Sequence, residues 1–134
     1  MTAANEPILL CQDRGQGIIH LTMNRPKAFN SLSSELMSEM QSALDGAHQD
    51  PSIRLIIIEG TGPGFSSGHD LREVTSFQTV KERQDLMEQC SKLMLSVVHC
   101  SKPVIAKVHG VAAAAGCQLV ASCDLAVATD DAKF

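Results

Sequence analysis

The spacing of hydrophobic and polar positions changes repeatedly along this chain, which predicts an alternation of strands and helices. Short apolar runs rich in β-branched residues favour strands, and apolar residues that recur every three to four positions favour helices. The pattern predicts strands at residues 8–12, 18–23, 53–59, 104–108 and 125–128. It also predicts three helices. The first is capped by Ser33 and ended by Pro51, the second follows a capping box at Thr79 and Glu82 and reaches Val98, and the third starts near Ala115. The first two strands form a hairpin, and the order of the rest predicts an α/β fold in one domain of residues 1–134, with no second domain.

The sequence of two segments leads to more specific structural predictions. The run from Leu55 to Ile58 is continuously apolar, which is typical of a strand covered on both faces. Residues 69–73 are expected to begin a helical turn, and residues 74–78 are expected to be irregular and mobile.

Composition and charge narrow the classes of function. The 134 residues carry a net charge of −4 and neither Trp nor Tyr, so nucleic acids and anionic membranes are poor partners. Five cysteines, an odd number without a C-x-x-C pair, favour free thiols in a reducing compartment, and the five histidines lack metal-ligand spacing. No apolar run is long enough to span a membrane, and the first residues resemble neither a signal peptide nor a transit peptide. We therefore expect no metal, no nucleic-acid partner and no membrane insertion.

A glycine-rich loop follows the predicted central strand at residues 60–68. It matches neither G-x-G-x-x-G, because Phe65 follows Gly64, nor a P-loop, because no G-K-[ST] is present. A simple turn explains Gly60, Gly62 and Gly64, but not the small residues that come after Phe65. We interpret that continuation as a strand-to-helix junction whose backbone N–H groups are free to point at a ligand.

A second junction of this kind lies at residues 109–124, where four alanines lead into Gly116 and an apolar helix. A helix that starts near Ala115 directs its free N–H groups at whatever approaches it, and small side chains allow a close approach. The stretch is either a plain alanine-rich core helix or a helix start that faces a polarised oxygen. Two N–H groups from two such junctions could bind one oxygen, as in an oxyanion hole, but the sequence does not place the junctions together.

Three segments in this order resemble landmarks of the crotonase (enoyl-CoA hydratase/isomerase) superfamily. They are N-R-P-K-A-F-N at residues 24–30, F-S-S-G-H-D-L-R-E at residues 65–73 and H-G-V-A-A-A-A-G-C-Q-L-V-A-S-C-D at residues 109–124. Because these segments are spread over nearly the whole chain, it is identified as a member of that superfamily. The second and third segments look most like those of a mitochondrial member, so we expect a mitochondrial location, with the cytoplasm as the alternative.

The resemblance implies a spiral of ββα units that binds an acyl-CoA thioester in fatty-acid and lipid metabolism, with coenzyme A as part of the substrate and no separate cofactor. It implies that the backbone N–H groups of His69 and Ala115 form an oxyanion hole for the thioester carbonyl; we expect His69 to contribute its backbone rather than its imidazole. The residues at coenzyme A-binding positions are Arg25, Lys27, Ala28, Asp70, Leu71 and Arg72. Cations suit the phosphates of coenzyme A, although Lys27 and Arg72 could otherwise be ordinary solvated charges.

The chain departs from the hydratases of the superfamily at Gln118, which stands where they carry a catalytic glutamate. A glutamine amide can position a water but cannot take up a proton at neutral pH. The second hydratase glutamate would lie beyond Phe134, and Ala115 replaces the usual glycine, which keeps the N–H but narrows the site. We therefore predict acyl-CoA binding without ordinary hydratase turnover; the alternative for Gln118 is a side chain that satisfies a hydrogen bond in the core.

The chain ends near the midpoint of the superfamily's usual domain. We therefore expect the N-terminal part of a crotonase-like (ClpP/crotonase) domain, as a fragment or a truncated isoform. Full-length members usually form homotrimers or hexamers, a state that is in doubt for so short a chain. The alternatives to an acyl-CoA-binding protein are a non-catalytic partner in mixed oligomers with active relatives, and a truncated chain without function.

Overall fold

The computed structural model describes residues 6–134. A five-stranded sheet takes its strands in chain order: β1 (Leu9–Asp13), β2 (Ile18–Met23), β3 (Leu55–Gly60), β4 (Val104–Val108) and β5 (Leu125–Ala128). β1 and β2 form the predicted antiparallel hairpin, and β2 to β5 run parallel. Each parallel connection contains at least one helix, so the predicted α/β fold is confirmed.

Local sequence signals set the ends of the helices. The helices are α1 (Ser34–Gln49), α2 (Leu71–Ser76), α3 (Val80–Val98) and α4 (Ala115–Ser122), and a short 3-10 turn covers Pro26–Ala28. Ser33 caps α1 by accepting a hydrogen bond from the backbone N–H of Leu36 at 3.2 Å, as predicted. Thr79 and Glu82 form the predicted capping box of α3.

The segment after the glycine-rich loop differs from the prediction in two places. Residues 74–76 are helical rather than irregular, because α2 continues to Ser76. The predicted helical turn is present but begins at Leu71, since Asp70 caps it from outside the helix. His69 is therefore not helical, and it pairs with Leu32 in a short β-bridge.

The hydrophobic core fills one side of the sheet. Leu21, Ile58 and Ala106 are side by side on neighbouring strands and are fully buried together with apolar residues of α1, α3 and α4. On the other side Ile57 is only partly buried, and Leu125 of β5 is 63% exposed. The prediction that β3 is covered on both faces is therefore wrong for the described residues. No helix in residues 6–134 combines the length and apolar character that a membrane crossing requires.

A second series of pairings runs beside the sheet and gives the chain its spiral character. Isolated parallel bridges join Leu32 to His69, Ser66 to Ala112 and Val111 to Lys133. Along the chain, a strand of the sheet is thus followed by a residue that forms one of these bridges. This second series brings together segments that are far apart in the sequence.

Candidate functional site

The two strand-to-helix junctions singled out in the sequence lie side by side. The backbone N–H of Ser66 donates to the carbonyl of Val111 at 3.1 Å, and the carbonyl of Ser66 accepts from the N–H of Ala113 at 3.0 Å. Gly68 approaches the start of α4 so closely that a Cβ on it would be 3.3 Å from the backbone nitrogen of Ala115. The first junction therefore reaches the first residue of α4.

Both junctions present a backbone N–H that has no hydrogen-bond acceptor within residues 6–134. The bridge to Leu32 uses the carbonyl of Gly68 and the N–H of Asp70, which leaves the N–H of His69 unpaired. The N–H of Ala115 is also unpaired, because Ala115 is the first residue of α4 and the hydrogen bonds to the preceding turn begin with the N–H of Gly116, which donates to the carbonyl of Ala113. Two neighbouring backbone donors therefore remain available to a ligand.

A strained backbone holds the second of these donors in place. Ala114, which precedes α4, has φ 49° and ψ −123°, a conformation that favours glycine. Such a conformation costs about 1–3 kcal/mol, and strain of this kind clusters at functional sites. Sequence reasoning missed Ala114, because four consecutive alanines give no sign of which one is strained.

The close contacts between the junctions also require glycines. A Cβ on Gly116 would be 2.4 Å from the carbonyl oxygen of Ser66, and a Cβ on Gly62 would be 2.5 Å from the Cβ of Pro26. The glycine-rich loop thus packs against neighbouring segments and does not form an open cradle for phosphates. Gly62 lies in the predicted turn, whereas Gly60 is the last residue of β3, and the exclusion of a nucleotide motif stays a prediction from the sequence.

A cleft of about 440 Å³ collects the predicted coenzyme A-binding residues. All six predicted residues line it: Arg25, Lys27, Ala28, Asp70, Leu71 and Arg72. His69 lines it as well, whereas Ala115 is buried and Gln118 lies on the exposed side of α4. The structure therefore brings seven of the nine predicted site residues into one cleft and places the backbone nitrogen of Ala115 close to Gly68, the residue before His69.

The cleft carries more positive than negative charge. Arg25 donates from Nη2 to Asp70 Oδ2 at 2.8 Å and from Nη1 to the carbonyl of Ser31 at 2.5 Å. The hydrogen bond from Arg25 is the main reason why the pKa of the Asp70 carboxyl lies below its ordinary value. Lys27 and Arg72 are exposed and form no salt bridge with any carboxylate of the described chain. Two cations thus remain for an anionic ligand.

Asn30 fixes the segment that carries Arg25, and sequence reasoning did not single it out. Its side chain is fully buried; Oδ1 accepts from the backbone N–H of Arg25 at 2.8 Å, and Nδ2 donates to the carbonyls of Thr61 at 2.8 Å and Gly64 at 3.0 Å. The φ of Asn30 is 49°, a left-handed conformation that asparagine tolerates. An asparagine at the end of a proline-containing turn was the signal that could have identified it.

Gln118 does not act as a core side chain. It is exposed, and its amide makes no hydrogen bond within the part of the chain that the structure describes, so the interpretation of Gln118 as a satisfied core residue is wrong. Among residues 6–134, no cluster of three His, Cys, Asp or Glu side chains could hold a metal ion. Burial raises the pKa of the Cys123 thiol to about 12, which removes its nucleophilic form at neutral pH.

Two other features lie outside this site. His20 is structural, as predicted, because its Nδ1 is 3.0 Å from Glu59 Oε1 on the sheet. A groove of about 540 Å³ on α3 is larger than the cleft, but it shares no residue with either junction and is lined only by α3 and by His99, which follows it. It therefore carries no argument about the site.

Comparison with known proteins places this chain in a family. Residues 13–134 match the family described as enoyl-CoA hydratase/isomerase. The chain belongs to the enoyl-CoA hydratase/isomerase family. This confirms the superfamily inferred from the three sequence landmarks.

The relatives of this enoyl-CoA hydratase/isomerase family member are longer than the chain itself. The human "enoyl-CoA hydratase domain-containing protein 3, mitochondrial" is 44% identical over 118 residues, which is 88% of this chain and 39% of the relative. A "probable enoyl-CoA hydratase" of Bacillus subtilis is 38% identical over 119 residues, 89% of this chain and 46% of the relative. The chain thus spans less than half the length of these curated relatives.

Solved structures confirm the crotonase fold. An enoyl-CoA hydratase of Mycobacterium smegmatis superposes with a TM-score of 0.93 at 43% identity, over 95% of this chain and 49% of that one. Human enoyl-CoA hydratase domain-containing protein 3 superposes with a TM-score of 0.89 at 40% identity, over 94% of this chain and 49% of the other. The fold of the described residues is therefore that of about half of each of these structures.

Proposed function

We propose that the chain binds acyl-CoA thioesters, with the backbone N–H groups of His69 and Ala115 directed at the thioester carbonyl as an oxyanion hole. The observation that carries this proposal is the pair of neighbouring, unpaired backbone donors at the two junctions. Donors that are fixed before the ligand arrives bind a polarised oxygen without reorganisation. Relatives and structural neighbours that bear the name enoyl-CoA hydratase support the choice of a coenzyme A thioester as ligand.

The charges of the cleft support coenzyme A as the carrier. The whole chain has a net charge of −4, yet the cleft keeps Lys27 and Arg72 unpaired while Arg25 neutralises Asp70. Phosphate groups are the natural partners of such cations. The cations line the same cleft as His69, so a ligand can reach both with its phosphates and its thioester.

The proposed chemistry is polarisation of the carbonyl without hydration. Two N–H groups at the carbonyl oxygen would stabilise an enolate-like state, and loss of one such donor typically costs about 2.7–4 kcal/mol of transition-state stabilisation. Gln118 cannot accept a proton at neutral pH, so it cannot replace a glutamate that activates water. We therefore expect binding and polarisation of the thioester, with no ordinary hydratase turnover by this chain.

Isothermal titration calorimetry tests the proposal. Butyryl-CoA, which has no double bond to hydrate, is titrated into the chain and compared with the S-butyl-CoA thioether, which lacks the carbonyl oxygen. We expect saturable binding of the thioester, tighter than that of the thioether by at least about fivefold, the worth of two neutral hydrogen bonds at about 0.5 kcal/mol each. No binding at millimolar butyryl-CoA, or equal affinity for both ligands, would contradict the proposal.

The cellular role of the protein is proposed from its relatives. Those named mitochondrial, together with the family's chemistry, support a role in mitochondrial fatty-acid or lipid metabolism. The oligomeric state is a separate proposal: homotrimers or hexamers for a longer form that resembles the relatives in length. Light scattering on the purified longer form, with co-purification of an active relative as the second arm, distinguishes a self-assembling protein from a subunit of mixed oligomers.

A further inference from the structure

The imidazole of His69 carries a buried nitrogen with nothing to bind. Nδ1 of His69 is the one buried side-chain nitrogen or oxygen of residues 6–134 that lacks a hydrogen-bond partner. Buried polar atoms are paired in the great majority of cases, so an exception calls for an explanation. Nε2 of the same ring also makes no hydrogen bond within those residues, but it is not sealed from solvent, and the side chain lines the cleft.

The surroundings of the ring favour its neutral form. Burial, opposed by the nearby carboxylate of Glu73, holds the pKa of His69 below its ordinary value. A neutral imidazole has one nitrogen that donates and one that accepts. The sealed Nδ1 has no acceptor beside it, and an unpaired N–H is tolerated less well in protein interiors than an unpaired lone pair. The proton of the neutral ring is therefore expected on Nε2, the nitrogen that is not sealed from solvent.

We propose that the side chain of His69 contributes to coenzyme A binding by donating a hydrogen bond from Nε2–H to an amide carbonyl in the pantetheine arm of the bound thioester. This inference rests on the proposed function. It adds a role for the side chain of a residue whose backbone alone was expected to act.

The place of His69 in the cleft, together with the roles proposed for its neighbours, favours the pantetheine arm as the partner of its ring. The backbone N–H of His69 is assigned to the thioester carbonyl, and the cations Lys27 and Arg72 in the same cleft are assigned to the phosphates. The pantetheine arm is the part of coenzyme A that joins these two ends. Amides and a hydroxyl are the polar groups of that arm, and an amide carbonyl is a suitable acceptor for the N–H of a neutral imidazole.

Two variants of His69 test the inference by calorimetry with butyryl-CoA. His69→Phe keeps a flat ring and the backbone N–H but removes the donor, and we expect it to weaken binding about fivefold to tenfold. His69→Gln keeps a neutral side-chain N–H and should retain most of the affinity. His99→Phe, an exposed residue that follows α3, is the matched control and should bind as the unaltered chain does.

A nitrogen-15 NMR measurement of the His69 ring supplies a readout that a purely structural role would not change. The free chain should show the neutral tautomer with its proton on Nε2, and butyryl-CoA should shift that proton downfield. A proton on Nδ1 in the free chain, or a His69→Phe variant that binds as tightly as the unaltered chain, would overturn the inference while leaving the proposed function intact. Failure of the unaltered chain to bind butyryl-CoA would overturn both.

Discussion

The contact between Gly116 and Ser66 leads to a quantitative prediction about the junctions. Gly116 lies in the first turn of α4, and a Cβ there would be 2.4 Å from the carbonyl oxygen of Ser66 and 2.8 Å from its Cβ. Gly46 is also helical, in α1, but a Cβ on it would meet nothing within 4 Å. The same substitution, glycine to alanine, should therefore have opposite effects at the two positions.

The magnitude follows from the distances. Ordinary van der Waals contact begins near 3.4 Å, so Gly116→Ala must separate α4 from the Ser66 backbone by about 1 Å. Overpacking of this kind costs about 1–3 kcal/mol, and weakening of the hydrogen bond from Ala113 to Ser66 adds about 0.5–1.5 kcal/mol. The higher helix propensity of alanine returns about 0.5–1 kcal/mol, which leaves a net loss of about 2 kcal/mol. Gly46→Ala has only the gain of about 0.5–1 kcal/mol.

Urea unfolding gives the free energies and thermal unfolding gives Tm, both followed by far-ultraviolet circular dichroism, since the chain has no Trp or Tyr for intrinsic fluorescence. For a chain of this length we expect Gly116→Ala to lower Tm by roughly 6–10 °C and Gly46→Ala to raise it by roughly 2–4 °C. Calorimetry on the folded Gly116→Ala variant should also show weaker binding of butyryl-CoA, because α4 carries the N–H of Ala115. Equal stability of the two variants would refute the close packing of the junctions.

Three further predictions concern the same site. Arg25→Ala should destabilise the chain by about 1–2 kcal/mol above pH 4. Because Arg25 lowers the pKa of Asp70 in the folded chain, this stabilisation is present above the unfolded pKa and is lost as the pH falls through the folded pKa. The stability of the variant should therefore depend less steeply on pH during acid unfolding, and parallel curves for the two proteins would contradict the pairing. Ala114→Gly should stabilise by about 0.5–1 kcal/mol in urea unfolding, since relief of the positive φ outweighs the added chain entropy, and a loss of stability would contradict the strain. In a longer form that supplies a second carboxylate, Gln118→Glu should raise hydration of crotonyl-CoA, followed by absorbance, and an unchanged rate would place Gln118 away from the reacting centre.

Local signals made much of the fold predictable from the sequence. The Ser33 cap, the capping box at Thr79 and the start of α4 at Ala115 were predicted at the residues where the structure has them. Each depends on residues within one helical turn of the helix end, so no information about the rest of the chain is needed. The end of α2 was missed because Val74 and Ser76 carry no clear stop signal, and the helix begins at Leu71, after its cap Asp70, rather than at residue 69.

The site required information that is spread over the chain. Residues at three landmarks could be identified by resemblance, but their contact depends on bridges such as that between Ser66 and Ala112. The strain at Ala114, the buried amide of Asn30 and the sealed Nδ1 of His69 arise only when these segments pack together. Sequence periodicity does not encode which segments meet, so these features could only be read from the structure.

The most direct test of the proposed oxyanion hole is a titration of the nitrogen-15-labelled chain with butyryl-CoA, followed by the backbone amide signals of His69 and Ala115. A hydrogen bond to the thioester oxygen should move both amide protons downfield together, and the S-butyl-CoA thioether should leave both signals nearly in place. Movement of neither signal at saturating butyryl-CoA, or equal movement with the thioether, would contradict the assignment of these two N–H groups to the carbonyl.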